Sequence, residues 1–311
     1  MKKADPALNA KIFNLCIEGL SNRRIARVHA ISEHCVRLRL LKMSKQALFF
    51  QSQKTRNLKI TEPICFDGLE NFAGSQYDVN NIQQALGRDS LFLYDFNLAT
   101  MNRKGRMSEW QKNRLKEIEY DFGRYNPRSI RTATKVILKR LYFKWGLPCK
   151  FALLSDEHFQ YRRAITKDLR HLKIDHHTIS AKACRNFQNI LFPVNHMDLL
   201  IRKEMGAFSR ETISFSKTHA AMCLKFALYV VAKNYMRPQF TKAHVRRPEA
   251  HTKSPAQHAG ICSNILKFED IFHRRPLESD GRELNRDWRY FVQEKIPPSY
   301  HRSKKFKRKA A

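Results

Sequence analysis

The stretch Pro63-Ile64-Cys65-Phe66-Asp67-Gly68-Leu69-Glu70-Asn71-Phe72 decides the reading of the fold. Its composition is that of a buried strand that carries one aspartate, Asp67, out of an apolar run. About ninety residues later Phe151-Ala152-Leu153-Leu154-Ser155-Asp156 repeats the arrangement. An unpaired carboxylate in a buried strand costs several kcal/mol, so neither position is explained by packing alone. Two strands delivering Asp, in a chain of net charge +31, point to a divalent-metal site facing a phosphodiester backbone.

Outward from this stretch, the segment up to residue 99 holds short β-like runs: ICF, then QYDVNNI and LFLYDFNLA, with turn chemistry at Gly87-Arg88-Asp89. Residues 100–127 are strongly charged and predict a loop and a surface helix. Ser129 to Trp145 has helical periodicity, and Gly146-Leu147-Pro148 ends it. A strand at 149–155, a helix from about 157 to 168, a β-like run from Leu172 to Ile179, and helices over Asn195–Phe208 and Lys217–Asn234 follow. Three strands in succession and then alternation predict a mixed-sheet α/β core in ribonuclease H-like order. A doubly wound nucleotide fold would need helices between the first strands.

Upstream, residues 7–45 are helically periodic with a break at Ile31-Ser32. Within them Gly19 to Leu40 fits a helix-turn-helix, with Ser21 and Ser32 as N-caps and Ile25, Ala26, Ile31 and Val36 between the helices. Arg37 and Arg39 would then face a DNA groove, with Glu33 and His34 near the helix start. An ordinary helical hairpin with solvated arginines is the competing reading. The organisation expected is a helix-turn-helix module over 1–45, a polar linker over 46–62, a ribonuclease H-like catalytic domain over 63–235 and a basic extension over 236–311.

The 311 residues suffice for one substantial core and small modules. Lys and Arg number 59 against 28 Asp and Glu, a balance that draws polyanions, above all nucleic acid. No apolar run approaches the ~20 residues of a membrane-spanning helix, and MKKADPALNA lacks the apolar stretch of a signal peptide. The expected location is the cytoplasm, with no membrane partner. Seven scattered cysteines without a Cys-x-x-Cys knuckle exclude a zinc ribbon or disulfide framework and read as small buried side chains in a reducing compartment.

A metal-dependent phosphoryl-transfer centre needs a third acid beside Asp67 and Asp156. In the helix beginning Val194-Asn195-His196-Met197-Asp198, the residues Asn195, Asp198 and Arg202 share a face. Asp198 is the preferred ligand, being a carboxylate, and Asn195 competes through its carbonyl. Glu204 lies off that face and reads as solvated. Glu70, three positions after Asp67, falls on the opposite strand face and reads as an auxiliary or salt-bridging group. As a strand-end residue before a helix, Asp156 also has the simpler reading of a cap.

These residues resemble a bacterial insertion-sequence transposase of the DDE class, within the retroviral integrase superfamily. The likeness runs from the helix-turn-helix to about residue 272. FDGLENFAGSQYDV (66–79) is similar to the family's first two core strands and LLSDEHFQY (153–161) to its second Asp motif. RKEMGAFSRETISFSK (202–217) is similar to its Leu-Arg … Arg-x-Thr … Ser-Lys signature, and Tyr229–Pro238 with SPAQHAG (254–260) to its tail. The resemblance implies Mg2+- or Mn2+-dependent cutting of transposon ends and strand transfer into target DNA. It makes Asp67, Asp156 and Asp198 catalytic metal ligands. The DNA partners are element ends and target, and a homodimer or higher assembly is implied on them, in a nucleoid-associated prokaryotic setting. Relatives usually have Glu at the third position: an Asn-x-x-Glu alignment selects Asp198, while counting back from Arg-x-Thr selects Asn195. Some relatives carry a zinc ribbon ahead of the helix-turn-helix, a feature without counterpart here.

Arg202, Arg210 and Lys217 would line the helix beside the metals and hold phosphates, or form a solvated basic face. His176 and His177 read as a surface pair near the site, Trp110 as a base-stacking or local core residue, and Lys304–Lys309 as a non-specific phosphate contact. The competing functions are a non-catalytic DNA-binding regulator, or an inactive transposase-derived protein, and a structure-specific nuclease without strand joining.

Overall fold

Strand β1 (Ile64–Phe72) turns back on β2 (Val79–Gly87), which turns again into β3 (Leu93–Thr100), giving an antiparallel meander. The chain then crosses over through two helices to β4 (Phe151–Asp156), parallel to β1, and on to β5 (Ile174–Ile179), parallel to β4. The result is one five-stranded mixed sheet of order β3-β2-β1-β4-β5 in an α/β molecule. The computed structural model describes residues 6–209, 212–240, 251–272, 284–297 and 302.

Apolar residues alternate along β1 and feed two cores. Ile64 and Phe66 join Ala85, Leu153 and Tyr161 on one side; Cys65 and Leu69 join Ile82, Phe96 and Leu98 on the other. Both sheet faces are therefore covered, which is why β2 and β3 are buried along nearly their whole length. Helix α5 (Ser129–Tyr142) lies on the first face, where Gln83 donates to Thr134 Oγ1 and Asn97 to the Ala133 carbonyl. Helices α7 (Phe192–Glu204) and α8 (His219–Val231) cover the second. Between β3 and α5, α4 (Glu109–Phe122) buries no residue, and its Trp110 is 69% exposed, so Trp110 fills no local core. After β4 a short α6 (Phe159–Arg163) runs into a π turn.

The amino-terminal region forms three helices, α1 (Pro6–Ile17), α2 (Asn22–Val28) and α3 (Glu33–Thr55). Ser21 caps α2 and Ser32 caps α3, each hydroxyl accepting from the third residue on. Residues 46–55, read as linker from their polar composition, instead extend α3. Ala47, Leu48, Gln51 and Thr55 recur at helical spacing and are buried as α3 packs along α8. Ile12, Phe13, Ile25, Val36 and Leu40 share a core with Ile64 and Phe66, so these helices are built onto the sheet rather than tethered to it.

The described parts of the carboxy-terminal extension also pack inward. Phe268 and Phe272 of α10 (Phe268–Phe272), after α9 (Pro255–His258), pack their rings at a tilt against Phe13. From α11 (Arg286–Val292), Trp288 and Phe291 meet Phe96, and Trp288 donates to the Phe96 carbonyl at 3.0 Å. Apolar anchors hidden in a basic, Pro-rich composition were not visible as core. The edge at Leu93 is closed by side chains: its N–H and carbonyl pair with Asn234, and Gln51 donates to the same carbonyl. Among the described residues no helix is long and apolar enough to cross a membrane. The cysteines are free, Cys16, Cys65 and Cys223 being buried as expected, but Cys149 and Cys184 are exposed.

Candidate metal and nucleic-acid site

Parallel pairing of β1 with β4 aligns Phe66 with Ser155, so Asp67 and Asp156 are the next residues on two adjacent strands. A difference of about ninety positions in the chain thus becomes nearest-neighbour placement. Asp67 points to the α7 face of the sheet, as do Cys65 and Leu69, which pack in the core that α7 completes. Gly68 follows it because a Cβ there would stand 2.1 Å from Asn81 Oδ1; the Gly68 N–H donates to Asp67 Oδ1 at 2.7 Å.

Across the antiparallel register Asp67 stands opposite Gln84, and cross-strand partners share a face. Gln84, fully buried, donates its side-chain NH2 to Asp198 Oδ1 of α7 at 2.6 Å. Asp67, Asp156, Gln84 and Asp198 are thereby drawn together from β1, β4, β2 and α7.

The electrostatics agree with that placement. Burial pushes the Asp67 carboxyl up to about 7, the Asp156 charge adds to it, and Asp198 adds further, while the Gly68 N–H and Arg185 pull the other way. Tyr161, whose ring packs edge-on against Phe66 at 5.0 Å, is raised by burial and by the charges of Asp67, Asp156, Glu70 and Asp198. Its phenol therefore sits in the field of all four acids. Burial lowers the His158 imidazole, against the opposing charges of Asp156 and Glu70. Asp156 also serves its own turn, accepting from the His158 N–H at 3.0 Å, while His158 rather than Asp156 caps α6.

Among the described residues no group of three or more His, Cys, Asp or Glu side chains is placed to hold a metal ion. The donor set suits a more open arrangement. Mg2+ keeps several waters and takes only one or two carboxylates from the protein, and Asp67 with Asp156 offers such a pair, with Asp198 behind it. A bound cation would offset both the burial and the Asp156 charge that raise Asp67, and Gln84 Oε1, on the register partner of Asp67, is buried without a hydrogen-bond partner.

The other expected residues fall in varied settings. Asn195 is half-buried in the first turn of α7. Glu204 is not a solvated side chain: it accepts from Tyr229 Oη and from Arg237, each at 2.8 Å, and so ties α7 to α8 and the segment after it. The spiral of α7 carries it away from Asp198 toward those partners. Arg202 donates to the Glu70 carbonyl at 2.9 Å and to the Phe208 carbonyl at 3.3 Å, a clamp between β1 and the turn after α7. Glu70 itself is exposed. Lys217 is exposed over the Phe215 ring, and Arg210 and Lys304–Lys309 lie outside the described residues. His176 is half-buried against Ser155 Oγ at 2.8 Å, while His177 pairs with Asp175 on the surface.

In the helix-turn-helix, Arg37 is exposed. Arg39 instead turns back to α1, donating to Asn9 Oδ1, so it braces the motif. Exposed Arg24 and Arg27 on α2 flank the same surface, and sequence reading passed over them although they stand in the quoted motif. Gln84 and Arg185 were passed over as well. For Gln84 the signal was the polar pair Gln83-Gln84 inside an otherwise strand-like run; for Arg185 there was none. In comparisons with known proteins, the chain matches no protein-family model and no curated protein.

Proposed function

We propose that the chain is a DNA transposase of the DDE class, with a ribonuclease H-like core and a helix-turn-helix for the element ends. One observation carries the reading: adjacent parallel strands bring Asp67 and Asp156 together, and Asp198 of α7 meets them on the same face. A purely structural account leaves this carboxylate group unexplained, because like charges brought together in a buried site oppose folding. The net charge of +31 supplies the attraction for DNA.

Asp67, Asp156 and Asp198 would hold Mg2+ or Mn2+. Such a cation, when bound, neutralises the carboxylates and polarises a phosphodiester oxygen for in-line attack by a hydroxyl. Asp67 and Asp156 would hold the cation from adjacent strands, and the α7 face closes one side of the site. Arg24, Arg27 and Arg37 would engage phosphates and bases of the element end, and a second copy would serve the other end.

The test is a supercoiled-plasmid cleavage and joining assay with the element's own ends and Mg2+ or Mn2+. Wild type is expected to nick and join, and Asp67→Ala and Asp156→Ala to lose both while still binding DNA. Cleavage without joining would identify a nuclease. Binding with no cleavage would leave a non-catalytic regulator or an inactive derivative.

A further inference from the structure

Several buried amides, Gln83 and Asn97 among them, have an oxygen without a hydrogen-bond partner, and Gln84 is the one opposite Asp67. It lies in the middle of β2, fully buried, and its terminal amide is only half used. The NH2 end donates to Asp198 Oδ1 at 2.6 Å. That contact fixes which end of the amide is which, since a carboxylate accepts and an amide oxygen cannot donate. The other end, Oε1, is buried with no hydrogen-bond partner. A buried acceptor left unsatisfied is costly, and native interiors rarely keep one without a function or a guest to satisfy it. An apolar residue would fill a β2 position facing the core on α7 at lower cost, as Ile82 and Leu86 do on the same face.

Its place in the sheet says what the guest is. Gln84 is the register partner of Asp67, and Asp67 is the neighbour of Asp156 across the β1–β4 pairing. The orphan oxygen thus belongs to a residue that touches Asp198 and stands opposite Asp67, on the sheet face that Asp156 shares. A lone water could donate to Oε1 and to one carboxylate oxygen but would leave the charge of the carboxylates uncompensated, whereas a hydrated cation satisfies the oxygens and offsets the charge. We propose that Gln84 is the neutral fourth member of the carboxylate site, a positioning residue that holds Asp198 toward Asp67 and presents Oε1 to a bound divalent cation or its inner waters. The inference rests on the metal reading of Asp67, Asp156 and Asp198. It adds that β2 contributes to the site, and that the contribution is an amide rather than a further charge. A neutral oxygen donor adds coordination without adding repulsion, which matters where three acids already face one another.

The experiment is Mn2+ binding to the full chain in the absence of DNA, followed by the electron paramagnetic resonance signal of free Mn2+. The proteins are wild type, Asp67→Asn, Gln84→Met, Gln84→Asn and Gln84→Glu. Wild type is expected to bind, and Asp67→Asn to lose binding. Gln84→Met, of similar volume and without polar atoms, is expected to weaken Mn2+ about tenfold, the lower end of what outer-shell partners contribute to metal affinity. Gln84→Asn withdraws both amide ends by one methylene and is expected to weaken it similarly, which keeps the test open should the Met variant not fold. Gln84→Glu keeps an oxygen at the Oε1 position but loses the hydrogen bond to Asp198, and is expected to bind more tightly than Gln84→Met without reaching wild type. A residue that merely supports the fold would not show that rescue. Wild-type affinity in Gln84→Met and Gln84→Asn, or equal loss in Gln84→Glu and Gln84→Met, overturns the role of Gln84 while leaving the carboxylate reading intact. Failure of wild type to bind Mn2+ overturns both.

Discussion

Replacing Asp67 with Asn tests the electrostatic basis of the site without any substrate. Burial and the neighbouring Asp156 and Asp198 raise the Asp67 carboxyl from 3.8 to about 7. Taken whole, that displacement corresponds to about 4 kcal/mol. Asp67 is only half-buried, so solvent screening reduces the figure to about 2 kcal/mol. The sign follows from proton uptake. Between about pH 4 and pH 7 the folded chain holds a proton on Asp67 that the unfolded chain has released, so stability falls as pH rises through this window. Above it, the wild type carries the full cost of an ionised Asp67. Asn keeps an oxygen for the Gly68 N–H and removes the charge. Asp67→Asn is therefore expected to unfold about 4 °C above wild type at pH 8, at about 2 °C per kcal/mol for a chain of this size. The gain should shrink steadily toward pH 4. Millimolar Mg2+ at pH 8 should raise the wild-type midpoint and leave the variant unmoved. Thermal unfolding by circular dichroism across pH 4–8 is the assay. An Asp67→Asn variant less stable than wild type at pH 8, or an advantage independent of pH, would refute the reasoning, because an ionised Asp67 would then carry no cost from burial or from Asp156.

Three further outcomes follow from contacts elsewhere. Arg140 binds Asp95 through Nε and Nη2, at 2.6 and 3.1 Å, and Asp287 through Nη1 at 3.0 Å, with Asp287 fully buried. Arg140→Met strands two carboxylates and is expected to cost about 3–5 kcal/mol in urea unfolding, releasing α11 from the sheet; a loss below about 1 kcal/mol would show the triad to be dispensable. Gly19 has φ +87°, and a Cβ there would meet the Glu204 carbonyl oxygen at 2.5 Å. Gly19→Ala is expected to destabilise by about 1–2 kcal/mol through the left-handed backbone alone, and more if α7 does not shift. Arg37→Ala should weaken DNA binding and reduce its salt dependence by about one phosphate contact, read by gel shift across salt concentrations. Arg39→Ala, which loses its contacts to Asn9 and Cys35, should lower thermal stability and leave the salt slope unchanged.

Much of the sheet was legible because its signals are local. Apolar runs bounded by turn residues mark β1 to β4, and the hydroxyls of Ser21 and Ser32 mark the starts of α2 and α3, where they cap. The polar run 46–55 misled, because Gln51 and Thr55 are buried polar residues whose partners, the Leu93 and Gln51 carbonyls, lie on a distant strand and one turn back along the helix. Composition counts such residues as exposed; only a packed neighbour makes them core. Glu204 misled for the same reason, since Tyr229 and Arg237 reach it from beyond its own helix.

The sequence by itself determined that the chain has a strand-rich centre, a capped helical start, a strongly basic charge and two aspartates at strand positions where packing gives no reason for them. These follow from side-chain chemistry and short-range periodicity, which act over a few residues. The tertiary structure alone decided that β4 lies beside β1 in a register that pairs Phe66 with Ser155, and so makes neighbours of Asp67 and Asp156. It also brought Gln84, opposite Asp67, into contact with Asp198, and gave Glu204 its partners Tyr229 and Arg237. Strand order and register are set by how two whole hydrophobic faces are covered at once, and no window of the sequence contains that information.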